Sequence, residues 1–252
     1  DVDVIALNMP GREQKPYDLD GARIYPMPLQ KKRAGSFRYV FEYLAFFLLA
    51  TWKVACLHRK RQYKVIDVNT LPDFLIFSGI WPKLRGAKLV LDMHEVMPEF
   101  YMSKYGVGHK HWLIKCIGLQ EKLSMQFADQ VLTINHAIQR LLQKRGLDPQ
   151  KSTIIMNSVN QSLFNQIADQ EQNNEDFILM YHGTLTPTYG VDIALQAFER
   201  VHNKMPQAKF WVIGDGSELQ KLQNLVQELN IQEKVWFLGM LPQQEIPEKL
   251  RQ

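Results

Sequence analysis

Cysteine is scarce in this sequence, and clustered metal-ligating residues are absent from it. The two cysteines, Cys56 and Cys116, are too few for a disulfide framework, so we expect each to pack as a small apolar side chain in a reducing compartment. No histidines and cysteines have the spacing of a zinc site. Two Asp-x-Asp pairs are predicted to be solvated rather than metal-bound: Asp1 with Asp3, and Asp18 with Asp20. These features predict a cytoplasmic protein with no metal and no cofactor.

The sequence also has no initiator methionine, no signal-peptide pattern at its start and no polar tail at its end. It opens inside the apolar run "DVDVIAL" and stops inside the charged run "EIPEKLRQ". Both ends lead us to expect a piece of a longer protein.

Charge is unevenly distributed along the 252 residues, whose net charge is +4. Residues 1–165 contain 23 Lys/Arg and 14 Asp/Glu, whereas residues 166–252 contain 7 and 12. The polar stretch "NQIADQEQNNED" (165–176) has no apolar period. We therefore predict two domains, 1–170 and 171–252, with the join near residue 170.

Both halves alternate short apolar runs with segments of helical spacing. In the second half the apolar runs are "FILMYH" (177–182), "KFWVIG" (209–214) and "KVWFLG" (234–239). In the first half they cover 2–7, 64–69, 88–95, 130–135 and 152–157. Continuous apolar runs are expected for parallel strands covered on both faces. The alternation predicts an α/β fold with two Rossmann-like doubly wound parallel sheets.

Ligands of open parallel sheets bind at the carboxyl ends of the strands, so the residues after each run are the candidate site. In the second half these are His182-Gly183-Thr184, Gly214-Asp215-Gly216 and Leu238-Gly239. In the first half they are His94-Glu95, Thr133-Ile134-Asn135 and Asn157-Ser158. A single glycine here is equally well explained by a tight turn, but three such glycines favour a binding site.

The second half nevertheless lacks two features of common phosphate sites. "GDGSEL" supplies only G-x-G of the dinucleotide pattern G-x-G-x-x-G. No Arg or Lys lies between Tyr181 and Glu199, where "YHGTLTPTYGVDIAL" predicts a strand, a glycine turn and a helix start. Such a turn favours an anion through backbone N–H groups and the helix dipole.

The stretch from "FILMYHGTLTPTYG" to "KVWFLGMLPQQEIPEKL" resembles the nucleotide-sugar-binding domain of glycosyltransferase family 4. Its glycine turn, its h-h-G-x-G strand end and its V-x-F-x-G-x-h-P segment follow the family pattern. In the first half, "KLVLDMHEVMPE" resembles the acceptor-side strand that ends in a histidine, and "STIIMNSVNQSLF" resembles the crossover segment. The resemblance covers most of the chain from about residue 64 onward.

The resemblance implies the two-domain GT-B fold and transfer of a sugar from a nucleoside diphosphate sugar, with retention at the anomeric carbon. The acceptor would be a glycan or a lipid-linked sugar, as in cell-envelope or exopolysaccharide synthesis. His94 would contact the donor sugar and order the acceptor, with Glu95 assisting; these are the predicted catalytic residues. The predicted donor-binding residues are Gly183, Thr184, Tyr189, Gly190, Gly214, Gly216, Leu238 and Asn157.

This sequence departs from the family pattern in two respects. The family's diphosphate-binding Arg and Lys are replaced here by Thr184 and Tyr189, so we expect the diphosphate to be held by backbone N–H groups near Gly183, the Thr184 hydroxyl and the start of the next helix. In addition, the family's paired glutamates would fall after Gln252 and its first strand before Asp1. We therefore expect the second sheet to be incomplete and these 252 residues alone to be a poor catalyst.

The apolar segment 38–64 is compatible with three locations. From Tyr39 to Leu57 it is long enough to approach a bilayer core of ~30 Å at ~1.5 Å per residue, although Glu42 and Lys53 interrupt it. A domain helix, an interfacial helix on an anionic membrane and a spanning segment all remain open. The basic residues that follow fit the inner face of a cell membrane.

Two other classes of function also remain open. A sugar-nucleotide epimerase of the same fold would need an acid/base constellation that the sequence does not show. A non-catalytic nucleotide-sugar-binding module would bind the donor without transfer. Nucleic acid is not expected as a partner, because the basic residues lack interleaved aromatic residues outside the predicted core.

Overall fold

A computed structural model describes residues 1–8, 15–29, 36–70, 72–164 and 177–250. The chain divides into two compact units, 1–157 and 158–252. The predicted domain join near residue 170 lies outside the described residues. Each unit is an α/β assembly with its own apolar core.

The first unit contains seven strands and five α-helices among its described residues. The strands are β1 (Val2–Leu7), β2 (Tyr17–Leu19), β3 (Ala22–Met27), β4 (Val65–Asn69), β5 (Lys88–Met93), β6 (Gln130–Thr133) and β7 (Ser152–Ile154). The helices are α1 (Ser36–Arg61), α2 (Ile80–Leu84), α3 (Met97–Tyr105), α4 (Trp112–Phe127) and α5 (His136–Lys144). A long 3-10 helix covers Asp73–Gly79 and a short one covers Pro149–Lys151.

Two sheets form in this unit. Strands β4, β5, β6 and β7 are adjacent in that order and all parallel. Strand β1 pairs in parallel with β3, and β3 pairs antiparallel with β2. The parallel arrangement was predicted, but the β2–β3 hairpin was not. Its turn is at Asp20 and Gly21, whose φ angles of 48° and 80° suit a tight hairpin turn.

Of the four aspartates in the two Asp-x-Asp pairs, Asp3 is the one for which the predicted solvation is wrong; Asp1 is exposed. The Asp3 side chain is only 4% exposed; it accepts a hydrogen bond from the Tyr63 hydroxyl and lies 3.5 Å from the Arg61 guanidinium. Burial and this bond raise the pKa of Tyr63. The Asp3 side chain is therefore buried and structural, held by Arg61 at the end of α1 and by Tyr63 just after it. Asp18, by contrast, is exposed and pairs with Arg23 at 3.1 Å.

The free edges of β1 and β4 line a common cavity. Each strand is the last one of its sheet on that side among the described residues. The cavity has a volume of about 610 Å³, and side chains of α1 such as Phe46, Ala50 and Val54 contribute to its wall. The backbone groups on both edges are thus available to pair with a further strand.

The second unit has one three-stranded parallel sheet, in the order β10-β9-β8. Its strands are β8 (Phe177–His182), β9 (Ala208–Ile213) and β10 (Val235–Gly239). Its helices are α6 (Gln161–Phe164), α7 (Val191–His202), α8 (Leu219–Glu228) and α9 (Ile246–Lys249), and a 3-10 turn covers Pro187–Tyr189. The strand and helix positions agree with the apolar periods. Leu195 and Phe198 of α7 and Leu222 of α8 pack on Phe210 and Val212 of β9 to form the core.

Candidate functional site

The glycine-bearing strand ends of the second unit are joined to one another by backbone hydrogen bonds. The Gly183 N–H donates to the Ile213 carbonyl at 2.9 Å, and the Gly214 N–H donates to the Gly239 carbonyl at 2.8 Å. Two residues after Gly183, the Leu185 N–H donates to the Asp215 carbonyl at 3.0 Å. The three predicted strand ends therefore meet at one edge of the sheet.

Two of these glycines have a packing role that the sequence did not show. A Cβ on Gly214 would lie 1.9 Å from the Gly183 carbonyl oxygen, and a Cβ on Gly216 would lie 2.2 Å from the Leu185 carbonyl oxygen. Gly214 also has a φ of +137°. Glycine is required at both positions because the loops after β8 and β9 are in backbone contact.

The amide of Gly183 is already used within the sheet, so it is not a free donor for an anion. Thr184 differs: it is exposed, and within the described part of the chain its N–H makes no backbone hydrogen bond. Its carbonyl accepts a hydrogen bond from the Tyr181 hydroxyl at 2.9 Å. Burial, and then the nearby Tyr189, raise the pKa of the Tyr181 phenol. Tyr181 thus fixes the backbone of the turn that presents Thr184.

Helix α7 begins without a side-chain cap directly after this turn. Tyr189 ends the 3-10 turn, and Gly190 adopts the left-handed conformation with φ 62° and ψ 31°. Within the described residues, no side chain accepts a hydrogen bond from the first-turn amides of α7. Uncapped amides and the positive end of a 12-residue helix favour an anionic ligand. Asp192 in the first turn opposes that preference in part.

Leu238 lies at an irregularity of the sheet. Phe237 pairs with Val212, but the next paired residue is Gly239, opposite Ile213. Leu238 is therefore the extra residue of a β-bulge, a feature that re-aims side chains at sheet ends.

In the first unit, His94 directly follows strand β5 and lies within hydrogen-bond distance of two neighbouring side chains. Its Nε2 lies 3.1 Å from Asp92 Oδ2, and its backbone N–H donates to Thr70 Oγ1 at 3.2 Å. The Thr70 N–H in turn donates to the Asp92 carbonyl at 3.0 Å. Burial, and then the Asp92 charge, raise the pKa of nearby Asp67. His94 is thus part of a polar cluster in which a carboxylate orients the ring.

Sequence reasoning identified His94 but missed Asp92, Thr70 and Asp67. Asp92 was identifiable, because residues two apart on a strand point to the same face. Thr70 directly follows β4, so the strand-end argument applied to it as well. Asp67 has an interior position in a strand, and no pattern marked it.

Two other predicted site residues, Glu95 and Asn157, are exposed at the protein surface. Glu95 is exposed next to His94. Asn157 is also exposed and lies three residues after β7, which ends at Ile154 rather than at the predicted residue 157. Asn135, also considered as a strand-end residue, caps α5 by accepting the Ile138 N–H at 2.8 Å. The described residues contain no group of three or more His, Cys, Asp or Glu side chains placed to hold a metal ion.

Comparison with known proteins agrees with this architecture. Residues 1–158 match the family described as "Glycosyl transferase 4-like domain", and residues 164–252 match "Glycosyl transferases group 1". Sucrose-phosphate synthase from Thermosynechococcus elongatus superposes with a TM-score of 0.68 at 18% identity, over 98% of this chain and 62% of that one. The Anabaena protein HepE in complex with UDP-glucose gives a TM-score of 0.56 at 17% identity, over 81% and 54%. The fold is therefore that of GT-B glycosyltransferases, as predicted.

The chain belongs to the glycosyl transferase 4-like family. An uncharacterized glycosyltransferase of Methanocaldococcus jannaschii is 29% identical over 134 residues, which cover 50% of this chain and 33% of that protein. The lipopolysaccharide 1,6-galactosyltransferase of Salmonella typhimurium is 25% identical over 185 residues, covering 73% and 48%. The chain thus spans between a third and a half of the length of these two relatives.

Proposed function

We propose that the complete protein is a retaining glycosyltransferase that moves a sugar from a nucleoside diphosphate sugar to a glycan or lipid-linked acceptor. The observation that carries this proposal is the meeting of three strand ends in the second unit, next to the uncapped start of α7, in a chain of this family. The HepE complex contains UDP-glucose, and the Salmonella relative is named for lipopolysaccharide. The first supports a nucleotide-sugar donor, and the second supports a role in cell-envelope or exopolysaccharide synthesis.

In this proposal the diphosphate is bound mainly by backbone. The Thr184 N–H and hydroxyl and the first-turn amides of α7 are the donors, and Gly190 lets the turn enter the helix. Gly183, Gly214 and Gly216 serve by having no side chain. A charge-assisted hydrogen bond contributes roughly 1.5–3 kcal/mol and a neutral one about 1 kcal/mol. A site that lacks the family's two cations is therefore expected to bind its donor weakly.

His94 is proposed to act on the sugar rather than on the diphosphate. Asp92 holds the Nε2 side of the ring, which leaves Nδ1 as the acceptor in the neutral tautomer. Such a ring can accept a hydrogen bond from a sugar hydroxyl at Nδ1 and so position the transferred sugar. Glu95, exposed beside it, is proposed to contact acceptor hydroxyls.

The donor site is tested by restoring a family cation. In the complete protein, Thr184→Arg is expected to tighten UDP binding about tenfold, since a charge-assisted bond replaces a neutral one. Gln227→Arg is the matched control, because it adds the same charge at an exposed position of α8 that is not among the predicted donor-binding residues. Isothermal titration calorimetry at low and high salt measures both variants.

Equal gains from Thr184→Arg and Gln227→Arg would show a general charge effect and contradict this diphosphate position. No binding of any nucleoside diphosphate sugar by the wild type would overturn the proposal itself. Sugar transfer is followed by the NMR signal of the anomeric proton. For a retaining enzyme, the product is expected to have the same anomeric configuration as the donor. Interconversion of donor sugars without an acceptor would instead indicate an epimerase, and donor binding without transfer would indicate a binding module.

We also propose that a strand outside these 252 residues completes the first unit. The resemblance implies a strand before Asp1, and the cavity between the free edges of β1 and β4 supports it. A strand there would pair with both edges and cover apolar side chains of α1. In the complete protein the edge amides of β1 and β4 should then exchange slowly with deuterium; fast exchange at both edges would contradict a central strand.

For location, we propose a cytoplasmic enzyme on the inner face of a membrane, attached through residues 38–64. Within the described residues one segment, Phe41–Arg61, is long and apolar enough to cross a bilayer by length and composition. Only 17% of its apolar 18-residue stretch is buried inside the protein. The ring of Phe47 packs edge-on against Phe74, and Leu57 and His58 are buried. Because one side of α1 packs on the domain, an interfacial position fits better than a spanning one.

A further inference from the structure

Helix α1 has an apolar stripe on its outer surface. Phe41, Leu44, Leu48 and Trp52 are all exposed, with Leu48 at 66%. Their spacing of three, four and four residues places them on one face of the helix. They extend over about 16 Å at 1.5 Å per residue. Exposed apolar side chains aligned in this way are unusual on a soluble surface and indicate an interaction site.

Helix α4 carries a second stripe of the same kind. Trp112, Leu119 and Leu123 are exposed, with Leu119 at 59%, and their spacing of seven and four residues again defines one helix face. Lys115 and Lys122 are exposed and, being seven residues apart, lie along one side of this stripe. Lysines beside an apolar face can keep their charge in water while their stems cover apolar surface.

The two stripes belong to the same helical layer of the first unit. The 3-10 helix Asp73–Gly79 packs against both helices: Phe74 contacts Phe47 of α1, and Phe77 contacts Phe127 of α4 with ring centroids 4.9 Å apart. The crossovers that join consecutive neighbours of a parallel sheet are right-handed, so the helices between β4, β5 and β6 cover one face of that sheet. The inner sides of α1 and α4 are thus occupied, and the stripes are on their outer sides.

The charges around the stripes are of one sign. Among the described side chains of α1 and α4, the exposed charged residues that follow or flank the stripes are basic: Arg59 and Lys60 on α1, and Lys115 and Lys122 on α4. Arg61 is paired instead with Asp1 and Asp3. The acidic Glu121 of α4 is fully buried, and Glu42 of α1 is half-buried. Apolar and tryptophan side chains flanked by Lys and Arg match the interface of an anionic bilayer, where aromatic rings lie at headgroup level and basic residues meet phosphate.

We propose that α1 and α4 together form a two-helix docking face for an anionic phospholipid surface, with both stripes inserted in the plane of the interface. The docking face consists of Phe41, Leu44, Leu48 and Trp52 on α1, and Trp112, Leu119 and Leu123 on α4. It extends the membrane contact beyond residues 38–64 to a second helix about 50 residues later in the chain. The inference deepens the proposed function, since a surface-bound enzyme meets a lipid-linked acceptor, but lipid binding is measurable without donor or acceptor.

The test is flotation of the complete protein with vesicles of phosphatidylcholine alone or with phosphatidylglycerol added. Wild type should float with the acidic vesicles, and less so with the neutral ones or at high salt. Leu48→Glu and Leu119→Glu should each reduce the bound fraction by about tenfold or more, because each replaces an inserted apolar side chain with a charge. Leu19→Glu is the control: Leu19 is 47% exposed, but it lies in strand β2 and outside the docking face. The double variant Lys115→Gln, Lys122→Gln should weaken binding to acidic vesicles and reduce its salt dependence.

Several results would overturn the proposal. The proposal is wrong if the wild-type protein floats with neither kind of vesicle. It is also wrong if Leu19→Glu lowers the bound fraction as much as Leu48→Glu and Leu119→Glu do. If Leu48→Glu abolishes binding while Leu119→Glu leaves it unchanged, α4 is not part of the face. If analytical ultracentrifugation shows a wild-type dimer that Leu48→Glu dissociates, with no vesicle binding, the face covers a second copy instead. Thermal unfolding of each variant establishes that the fold is retained. Normal flotation without sugar transfer would count against the proposed function alone and leave the docking face standing.

Discussion

The two units have similar α/β architecture but different interiors. Every buried polar or charged side chain among the described residues belongs to the first unit: Asn8, His58, Asp73, Ser78, Glu121, Ser124 and Thr133, together with the side chain of Asp3. The described core of the second unit is apolar throughout. A buried charge is costly unless it is paired and hydrogen-bonded. The stability of the first unit therefore depends on interactions between buried charged and polar side chains. The stability of the second unit depends on backbone contact between its loops.

The same contrast separates the two candidate site edges. In the first unit, His94 is positioned by the side chains of Asp92 and Thr70. In the second, Gly214 and Gly216 allow main chain to approach main chain. Conservative side-chain substitutions should therefore lower the stability of the first unit more than that of the second. An added methyl group at a glycine should lower the stability of the second unit more.

The largest effect is expected from Gly214→Ala. Its Cβ would lie 1.9 Å from the Gly183 carbonyl oxygen, a backbone atom that cannot move without displacing the strand end. We expect a loss of roughly 4 kcal/mol or more in the stability of the second unit, from overpacking and backbone strain together. Hydrogen-exchange mass spectrometry should show faster exchange in peptides from 177–250 and unchanged exchange in the first unit.

Gly239→Ala is the matched control for this change. Gly239 also has a positive φ, of +70°, but no atom lies within 4 Å of the added Cβ. The cost should be only the backbone term of about 1–2 kcal/mol. Equal destabilisation by the two substitutions would show that loop contact is not what requires Gly214.

The next largest effect is expected from Arg145→Gln in the first unit. Arg145 donates to Glu99 Oε2 at 3.0 Å and to Glu121 Oε1 at 3.2 Å, and the Glu121 side chain is fully buried. Its removal leaves a buried carboxylate without a cation, which costs about 3–5 kcal/mol; partial exposure of Arg145 favours the low end. Urea denaturation measures the loss.

Lys221→Gln provides the comparison in the second unit. Lys221 lies 2.8 Å from Glu218, but 69% of its side chain is exposed. Solvent screens an exposed pair of this kind, so it contributes little to stability and this change should be nearly neutral. If Lys221→Gln costs as much as Arg145→Gln, the contrast between the two interiors does not hold.

These cases also show how far sequence reasoning reached. Apolar periods located the parallel strands, and the strand-end rule brought out Gly183, Gly214 and His94, because both signals are local. The Arg145 cluster was not predictable, since its partners are 46 and 24 residues away and a charged residue in a helix is normally solvated. The three-residue strand β2 was too short to show any period. The packing role of Gly214 depends on a carbonyl 31 residues earlier in the chain.

The buried carboxyl group that most sharply distinguishes the first unit is that of Asp73, at the start of the 3-10 helix. It is fully buried, and neither carboxylate oxygen receives a hydrogen bond of normal geometry within the described residues. Burial, and then the charge of Glu121, raise its pKa to about 7, while the nearby Gln120 amide opposes the shift in part. The native state therefore retains a proton that the unfolded chain loses near pH 4.

The sign of the pH effect follows from proton binding. Between pH 4 and pH 7 the native state holds more protons at Asp73 than the unfolded state does, so the free energy of unfolding falls as pH rises through this window. From pH 5 to pH 8 the fall should be on the order of 2–3 kcal/mol. Asp73→Asn mimics the protonated form, so it should match wild type at pH 5, exceed it at pH 8 and flatten the profile. Urea denaturation at several pH values checks this, with Asp18→Asn as an exposed control that should leave the profile unchanged. A wild-type profile that rises from pH 5 to pH 8, or one that Asp73→Asn leaves intact, would show that Asp73 is ionised in the native state and that the first unit tolerates the buried charge.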